Sequence, residues 1–397
     1  MRKIAANYII TNVTPPLKNG VIVVDDNGVV QQVIDTQGNL KETEAVEFYN
    51  GVLVPGFVNA HCHLELSHMH HKVEEKTGIT EFVRQINENR IDDEEAIMLA
   101  AQKQDRLMFQ NGIVAVGDIA NTSSTISTKL KSKIHYHTFV EVFGFSPKKA
   151  VFALKNGLKV VGEYERNGLK ASLVPHSPYS VSEQLFKLIK DYSNQNRSIL
   201  SIHNQESKAE NEMYEQGKGI MLEHILRNIK ADVAHWKGTG KSSLQSVLSH
   251  FPTDVHLLLV HNVFTNLQDI AFLKQQRDMS KTYFVLCPQS NLYIENQLPP
   301  IDIFKQENLT ICIGTDSLAS NHFLSMIYEM QAIQQQFPDI TLPTMIQWAT
   351  LNGAKALSID NQYGSFEVGK KPGINLLTDV DLNTLKLTPT SSVKPIF

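Results

Sequence analysis

Two histidines one residue apart, His61 and His63, end the apolar run "FVNAHCH" and are the first side chains here that suggest chemistry. Side chains alternate along a β-strand, so residues i and i+2 point to the same face. If this run is a strand, the two imidazoles can converge on one metal ion. Cys62 lies between them and is expected to point to the other face. Because one His-x-His motif is a weak signal, the rest of the chain has to supply further ligands.

Other metal-binding side chains also stand at the ends of apolar runs, namely His203, His261 and Asp316. Zinc and ferrous iron both accept imidazole and carboxylate ligands, and a catalytic site must leave a position for water. We predict that His61, His63, His203 and Asp316 bind one divalent metal ion, zinc or alternatively iron. His261 can hydrogen-bond the bound water instead of binding the metal.

Glu206 follows His203 by three residues in "SIHNQES". If a helix begins there, residues i and i+3 lie on one side, which places this carboxylate beside the bound water without making it a ligand. A metal lowers the pKa of bound water, and a nearby carboxylate can accept the proton and pass it to a leaving nitrogen. Zinc deaminases divide the work in this way. The sequence therefore predicts Glu206 as the proton shuttle.

Two alternative site arrangements are disfavoured by position along the chain. His135 and His137 have the same spacing, but they open their apolar run, so we expect them at the opposite end of the strand and away from the metal. A two-metal site often uses a modified lysine after the fourth strand. The sequence there reads "VPHSPYS", with His176 and no lysine, while Lys170 begins that run. A single metal is therefore predicted.

The elements that must position these side chains are eight short apolar runs, which alternate with amphipathic segments of helical pattern. Several runs are almost entirely apolar, as is typical of parallel strands buried on both faces. Eight strand–helix units predict an α/β fold, a (β/α)8 barrel over residues 56–359, with its site at the carboxyl ends of the strands. The alternative, an open doubly wound sheet, does not require eight units. It usually carries a glycine-rich phosphate turn after its first strand, and no such turn is found here.

The two ends of the chain have a different pattern from the barrel segment. Residues 1–55 contain short alternating strands with turn signals such as "DDNG", and residues 360–397 look the same. We predict that these two segments pair into one small β-sandwich domain beside the barrel.

Composition excludes several classes of protein. The chain has 397 residues, 42% of them hydrophobic and 20% charged, which is ordinary for a globular protein. A net charge of −4 gives no electrostatic footprint for nucleic acid, and no apolar run reaches the length of a membrane span. The amino-terminal residues show no signal-peptide pattern. The three cysteines are far apart in strand-like runs, which fits a reducing cytoplasm and no disulfide framework.

The segments "PGFVNAHCHLE", "PHSPYS", "HNQES", "LVHNVF", "CPQSN" and "GTDSLASN" occur in the order found in the amidohydrolase superfamily. The chain resembles its cytosine, guanine and adenosine deaminase-like branch, and the pairing of "HCHLELS" with "GTDSLASN" resembles aminofutalosine deaminases. The tail departs from the family pattern at residues 373–375, where Gly-Ile-Asn replaces the usual Ala-Asp. Residues 207–250, which include Trp236, do not match the family pattern, so we expect the substrate to be individual as well.

The resemblance implies the same metal ligands and proton shuttle as the positions of the residues predict, and it adds further roles. Asp316 also helps to deprotonate the attacking water, Glu206 shuttles protons, and His261 orients the hydroxide. Substrate contacts are expected from Glu65, which by analogy hydrogen-bonds an adenine-like ring, and from His176, Asn291 and Ser317. A homodimer is implied by the family alone.

These observations predict hydrolytic deamination of an amino-substituted N-heterocycle, purine- or adenosine-like and possibly aminofutalosine, by attack of a metal-bound hydroxide. The partner is thus a small heterocyclic substrate, with no nucleic acid and no membrane. The same site could instead remove chloride or cleave an exocyclic amide, and ammonia release separates these reactions. A non-catalytic scaffold barrel is disfavoured, because such a protein is expected to have lost ligands and none is missing here.

Overall fold

All eight apolar runs form strands in the computed structural model, which describes residues 1–41 and 45–397. In chain order the strands are β1 (Arg2–Ile9), β2 (Leu17–Lys18), β3 (Val21–Val24), β4 (Val30–Ile34), β5 (Val46–Pro55), β6 (Phe57–Cys62), β7 (Ile113–Ala120), β8 (His135–Val142), β9 (Lys170–Pro175), β10 (Leu200–Asn204), β11 (Leu257–His261), β12 (Thr282–Leu286), β13 (Thr310–Ile313), β14 (Ile374–Asp381) and β15 (Lys386–Pro395).

Strands β6 to β13 form the barrel, in two parallel four-stranded halves, β6–β9 and β10–β13. Backbone hydrogen bonds join the halves on both sides. The amides of Thr315 and Asp316 donate to the carbonyl of His61 (3.0 and 3.1 Å), and the amide of His203 donates to the carbonyl of His176 (3.0 Å). The predicted (β/α)8 fold is therefore confirmed, and the same bonds draw the ends of β6, β9, β10 and β13 together.

The helices lie between the strands. They are α1 (Ile79–Asn89), α2 (Glu94–Gln110), α3 (Ile126–Lys131), α4 (Ala150–Arg166), α5 (Glu183–Asn196), α6 (Lys208–Gln216), α7 (Ile220–Arg227), α8 (Ser243–Val247), α9 (Leu267–Gln276), α10 (Pro288–Ile294), α11 (Ile301–Gln306), α12 (Met326–Gln336), α13 (Leu342–Gln347) and α14 (Gly353–Ala356). Side-chain caps explain where several begin. Asp93 caps α2, Ser182 caps α5, and Asn266 with Asp269 forms a capping box at α9.

The terminal strands form one continuous seven-stranded sheet in the order β15-β14-β5-β1-β3-β4, with β2 on β1. Strand β5 pairs with β1 on one side and with β14 on the other, and so links the two chain ends. The small domain predicted as a sandwich is thus a single hydrogen-bonded sheet. It encloses its own apolar core, which includes Ile4, Ile22, Leu53, Phe366 and Leu376.

The domain boundaries that we propose, after residue 55 and before residue 360, fall between β5 and β6 and just beyond α14. Within the described ranges, the protein has no helix with the length and apolar character needed to cross a bilayer.

A buried ion pair lies beneath the rim of the barrel, at the end of β7. The ammonium group of Lys129 is 2.6 Å from Asp118 Oδ2, and both side chains are fully buried. Lys129 also donates to Thr138 Oγ1 (2.8 Å), and Asp118 Oδ1 accepts the backbone N–H of Leu64 (2.8 Å). Because Leu64 directly follows His63, this ion pair fixes the backbone that carries one of the predicted ligands.

Replacing Lys129 with Met is expected to destabilise the fold by about 3–5 kcal/mol, because it leaves Asp118 buried without its counter-charge. Denaturant unfolding measures this effect. Lys131→Met, an exposed lysine on the same helix, is the matched control and should unfold like the wild type. Adding Asp118→Asn to Lys129→Met should recover part of the loss, and equal midpoints for Lys129→Met and Lys131→Met would contradict the assignment.

Candidate active site and metal centre

Four of the predicted side chains come together at the carboxyl end of the barrel strands: His61, His63, His203 and Asp316. One ligand atom from each lies within 4.8 Å of the others. The Nε2 atom of His63 is 3.2 Å from His61 Nε2 and 3.3 Å from His203 Nε2. The Oδ1 atom of Asp316 is 3.5 Å from His61 Nε2 and 3.3 Å from His63 Nε2. Ligand atoms that share one zinc ion at roughly 2.0–2.2 Å lie about 3–3.6 Å apart, so these four atoms are spaced to share one cation.

Neighbouring groups hold two of these side chains in ligand orientation. The Nδ1 of His203 donates to the carbonyl of His176 (2.8 Å), which leaves the Nε2 lone pair directed at the cluster. The Oδ2 of Asp316 accepts hydrogen bonds from the hydroxyls of Ser290 (2.6 Å) and Ser320 (3.0 Å), which leaves Oδ1 for the cluster. Each side chain is thus fixed through the atom that does not face the metal position.

Gly314 allows β13 to approach β6 closely under the cluster. A Cβ atom at this position would lie 2.8 Å from His61 Cβ and 2.9 Å from the His61 carbonyl. Any side chain at residue 314 would therefore push Asp316 away from the two histidines of β6. The glycine explains why the acid on the eighth strand can meet ligands on the first.

Electrostatics keep the cluster in the protonation state that binds cations. Burial lowers the pKa of His63 well below its usual value and lowers that of His203 to about 4. Burial alone would raise the pKa of Asp316, but His61, His63 and His261 outweigh it and hold that pKa well below its usual range. These shifts favour neutral imidazoles at His63 and His203 and a carboxylate at Asp316, which are the forms that metal ions require.

A second pair, Glu206 and His261, stands beside the cluster without belonging to it. Glu206 Oε1 is 3.5 Å from His261 Nε2. Burial, and next the negative charge of Asp316, raises the pKa of Glu206 well above its usual value, so this carboxyl group holds a proton readily. The amide of Asn291 donates to His261 Nδ1 (2.9 Å), so in this orientation Nε2 carries the hydrogen that points towards Glu206.

The backbone conformation that places Glu206 beside the cluster differs from the prediction. His203 lies within β10, and α6 begins only at Lys208, with Ser207 as its N-cap. No helical turn spans residues 203–206, so that expectation was wrong. Instead, Gln205 has a left-handed backbone (φ 46°) directly after β10, and Glu206 follows it beside His261.

Left-handed backbone also occurs at His261 (φ 74°) and Asp316 (φ 56°). For residues other than glycine this conformation costs of the order of 1 kcal/mol or more, and it is concentrated at functional sites. His261 is the last residue of β11, and Asp316 follows the end of β13 by three residues. The rim thus stores local strain at two of the side chains that surround the cluster.

The amidohydrolase family model matches residues 52–395, which is most of the chain. The chain belongs to the amidohydrolase family. A Helicobacter pylori protein named adenosine deaminase is 28% identical over 337 residues, which cover 83% of this chain and 79% of that protein. These findings confirm the family predicted from the motifs, whose members are hydrolases of C–N bonds that depend on metal ions.

Two solved structures share the fold. Aminofutalosine deaminase from H. pylori in complex with methylthio-coformycin has a TM-score of 0.79 at 24% identity, covering 98% of this chain and 94% of that chain. An adenosine deaminase from Xanthomonas campestris with bound zinc has a TM-score of 0.74 at 20% identity, covering 98% and 86%. At these identities the comparison supports the common architecture of barrel and terminal sheet.

The side chains predicted to contact substrate differ in how many hydrogen bonds they already make within the protein. Asn291 is bonded to His261, and Ser317 Oγ accepts the amide of Ala319 (3.2 Å). His176 is only partly buried, and its ring centroid is 4.8 Å from that of His203. It therefore combines closeness to the ligands with an opening to solvent.

Glu65 is the most fully engaged of the predicted contacts. Its Oε1 accepts the backbone N–H of Asn121 (3.0 Å), and its Oε2 accepts the N–H and the hydroxyl of Thr122 (both 3.2 Å). Burial, the largest influence, raises the pKa of this carboxyl to about 7. In the structure Glu65 therefore organises the loop after β7.

His135 and His137, which we expected away from the metal, are not in the ligand cluster found among the described residues. His135 and His137 are the first and third residues of β8, at the opposite end of the barrel, where His137 Nε2 is bonded to Ser172 Oγ (2.8 Å). His322, which follows the loop after the eighth strand, is exposed and 3.3 Å from Glu75. All three cysteines are free and buried, and Cys62 is not part of the cluster.

Sequence reasoning missed several groups that hold the site together. Ser290 and Ser320 lie within the quoted motifs "CPQSN" and "GTDSLASN", yet the motifs alone do not tell which hydroxyl meets Asp316. Lys129 lies outside every motif. The sequence feature that could have indicated its role is a lysine on the apolar side of a short helix that follows a strand ending near an acid.

Glu210 is a buried carboxyl next to the site, and its titration should affect stability. Its Oε1 accepts the N–H of Gln205 and the hydroxyl of Ser243, whereas Oε2 has no hydrogen-bond partner among the described residues. Burial, the largest influence, raises its pKa to about 7. Between its unfolded value near 4.5 and 7, the folded protein keeps a proton that the unfolded chain releases, so stability falls as pH rises.

Glu210→Gln should remove this pH dependence, because the amide oxygen keeps both hydrogen bonds and the amide nitrogen replaces the unpartnered oxygen. Relative to the wild type, the variant should gain stability from pH 5 to 8, by about 3 kcal/mol at most, at roughly 1.4 kcal/mol per pKa unit. Denaturant midpoints across this range measure the gain. A difference that stays constant with pH would show that Glu210 does not titrate as described.

Proposed function

We propose that this amidohydrolase is a hydrolytic deaminase of adenosine-like compounds, which replaces the amino group of an N-heterocycle with oxygen and releases ammonia. The observation that carries the proposal is the position of Glu206. It stands 3.5 Å from His261, beside the four-ligand cluster but outside it, with a pKa raised by burial. Deamination needs such a group, because protons must move between water, ring nitrogen and leaving amine.

The donor set suits one divalent cation, and zinc is the proposed ion, with iron as the alternative. Three imidazoles and one carboxylate at the observed spacings match the ligand preference of both metals. A cation held there supplies Lewis-acid activation of water and stabilises negative charge in the transition state. The bound zinc in the X. campestris structure supports the choice of zinc.

The side chains of this chain would move the protons as follows. Glu206 gives its proton to the ring nitrogen next to the amino-bearing carbon, and its carboxylate then accepts a proton from the attacking water. Asp316 and the Nε2–H of His261 orient that water. Glu206 finally delivers the proton to the amino group, the C–N bond breaks, and one ammonia leaves for each water consumed. As the carbonyl forms at that carbon, the hydroxyl proton returns to Glu206, which restores its protonated starting state.

The remaining assignments support substrate binding and are proposals in the same sense. Glu65, His176, Asn291 and Ser317 are proposed to contact the heterocycle or to hold the groups that do. We also propose a homodimer in the cytoplasm, as the resemblance of the motifs and the cysteine pattern suggest. The H. pylori protein named adenosine deaminase and the H. pylori structure bound to methylthio-coformycin favour an adenine nucleoside or a derivative of one.

An ammonia-release screen tests the proposal. The zinc-loaded protein should release ammonia from at least one of adenosine, methylthioadenosine, deoxyadenosine or aminofutalosine, in preference to guanine, cytosine, pterins and triazines. Chloride release from a chlorinated triazine, or cleavage of an exocyclic amide, without ammonia from any adenine compound would overturn it.

A further inference from the structure

Glu141 is an acidic residue at the rim for which the proposed chemistry has no use. It lies at the carboxyl end of β8 and is only 7% exposed. Its Oε1 accepts a hydrogen bond from the side-chain amide of Asn121 (2.9 Å). Its Oε2 is buried and has no hydrogen-bond partner in the part of the chain that the structure describes. A buried carboxylate oxygen without a donor is costly, so such an atom calls for a partner from outside the chain.

The orientation of Glu141 is fixed by a chain of hydrogen bonds. The guanidinium of Arg90 donates to Asn121 Oδ1 (3.0 Å), which directs the amide nitrogen of Asn121 at Glu141 Oε1. The backbone N–H of Asn121 is in turn held by Glu65. These bonds engage one oxygen of Glu141 and leave the other open. The open acceptor therefore results from a rigid arrangement of neighbouring side chains.

The open oxygen lies next to the ligand cluster but outside it. Glu141 Oε2 is 3.9 Å from His203 Nδ1, the ring nitrogen on the side away from the cluster. A ring nitrogen of His176, one of His203 and a carboxylate oxygen of Glu141 lie within 4.8 Å of one another. These three do not make a second metal site, because His203 Nδ1 already donates its hydrogen to the carbonyl of His176. What remains is an acceptor carboxylate beside a partly exposed imidazole, which together complement a hydroxyl group.

We propose that Glu141 recognises a sugar hydroxyl of the substrate, with Oε2 accepting its hydrogen bond. This inference rests on the proposed deaminase function. The reacting carbon has to lie at the cluster, and His203 stands between the cluster and Glu141. Glu141 therefore meets a part of the substrate remote from the reacting carbon, which in an adenine nucleoside is the ribose. Glu65, whose two oxygens are both engaged by backbone and hydroxyl donors, is less able to fill this role.

The test compares hydroxyl deletion in the substrate with removal of the carboxylate. Ammonia release is measured for adenosine, 2′-deoxyadenosine and 3′-deoxyadenosine with the wild type and with Glu141→Leu. The wild type should prefer adenosine over at least one deoxy compound by about 10-fold to 100-fold in kcat/KM, the range of a charged hydrogen bond. Glu141→Leu should reduce that preference to less than about threefold, with unchanged metal content.

Two further variants keep the test decisive. Glu141→Gln serves if Glu141→Leu does not fold. Its amide oxygen can keep the hydrogen bond from Asn121, and its amide nitrogen then replaces the acceptor oxygen with a donor. We therefore expect a preference for adenosine between those of the wild type and Glu141→Leu. Glu165→Gln, which changes an exposed carboxylate on α4, should retain the wild-type preference. Equal preference in the wild type and in the Glu141 variants would overturn this inference alone. If no adenine nucleoside yields ammonia with the wild type, the proposed function itself fails.

Discussion

Glu206→Gln is expected to bind its metal ion normally and to lose turnover by about 10²–10⁴-fold, the contribution usual for a positioned general acid–base group. The amide has nearly the shape of the carboxyl but cannot carry the proton between water, ring nitrogen and amine. Because Glu206 lies outside the ligand cluster, the metal content should not change. Steady-state ammonia release and metal analysis of the same preparation measure both effects.

Glu295→Gln is the matched control for this variant. Glu295 is a partly buried carboxylate whose charge acts on Glu206, but it accepts the N–H of Ile79 at the start of α1 and does not face the cluster. The amide oxygen keeps this bond, so turnover should stay close to that of the wild type. Near-normal turnover in Glu206→Gln, or an equal loss in Glu295→Gln, would refute the role assigned to Glu206.

His63→Ala should lose both the bound metal and the activity. His63 Nε2 is the atom closest to the other ligands, within 3.2–3.3 Å of His61, His203 and Asp316. Removing it should weaken metal binding by more than the roughly 10–100-fold that follows loss of a supporting outer-shell partner. Metal stoichiometry after dialysis, followed by ammonia release, measures the result.

The control for His63→Ala is His71→Ala, which removes an exposed histidine from the loop that follows the first barrel strand. This variant should retain one metal ion per chain and full activity. If His71→Ala lost the metal while His63→Ala kept it, the ligand set would have to be redrawn around the loop histidines.

The barrel and the clustering of His61, His63, His203 and Asp316 were accessible from the sequence because they follow from strong local patterns. Nearly apolar runs are typical of buried parallel strands, and in a barrel the carboxyl ends of such strands share one rim. The alternation of side chains then places His61 and His63 on one face, and it separates them from His135 and His137 at the other end of the barrel.

What the sequence could not reveal depends on backbone reversal and on side chains that meet across the fold. The left-handed residue at Gln205 replaces the helical turn that we expected, and single-residue reversals leave little trace in sequence pattern when the residue is not glycine. The ion pair of Lys129 and Asp118 joins α3 to β7, and the open oxygen of Glu141 depends on Asn121. Such contacts are set by packing between elements, which periodicity along one chain does not encode.

The most direct test of the account is a metal titration of the stripped enzyme, followed by ammonia release from an adenine nucleoside. A single catalytic cation predicts that the metal-free protein releases no ammonia. Activity should return in proportion to added zinc or iron and should level off at one equivalent per chain. Ammonia release by the metal-free chain, or activity that requires a second equivalent, would contradict a single cation held by His61, His63, His203 and Asp316.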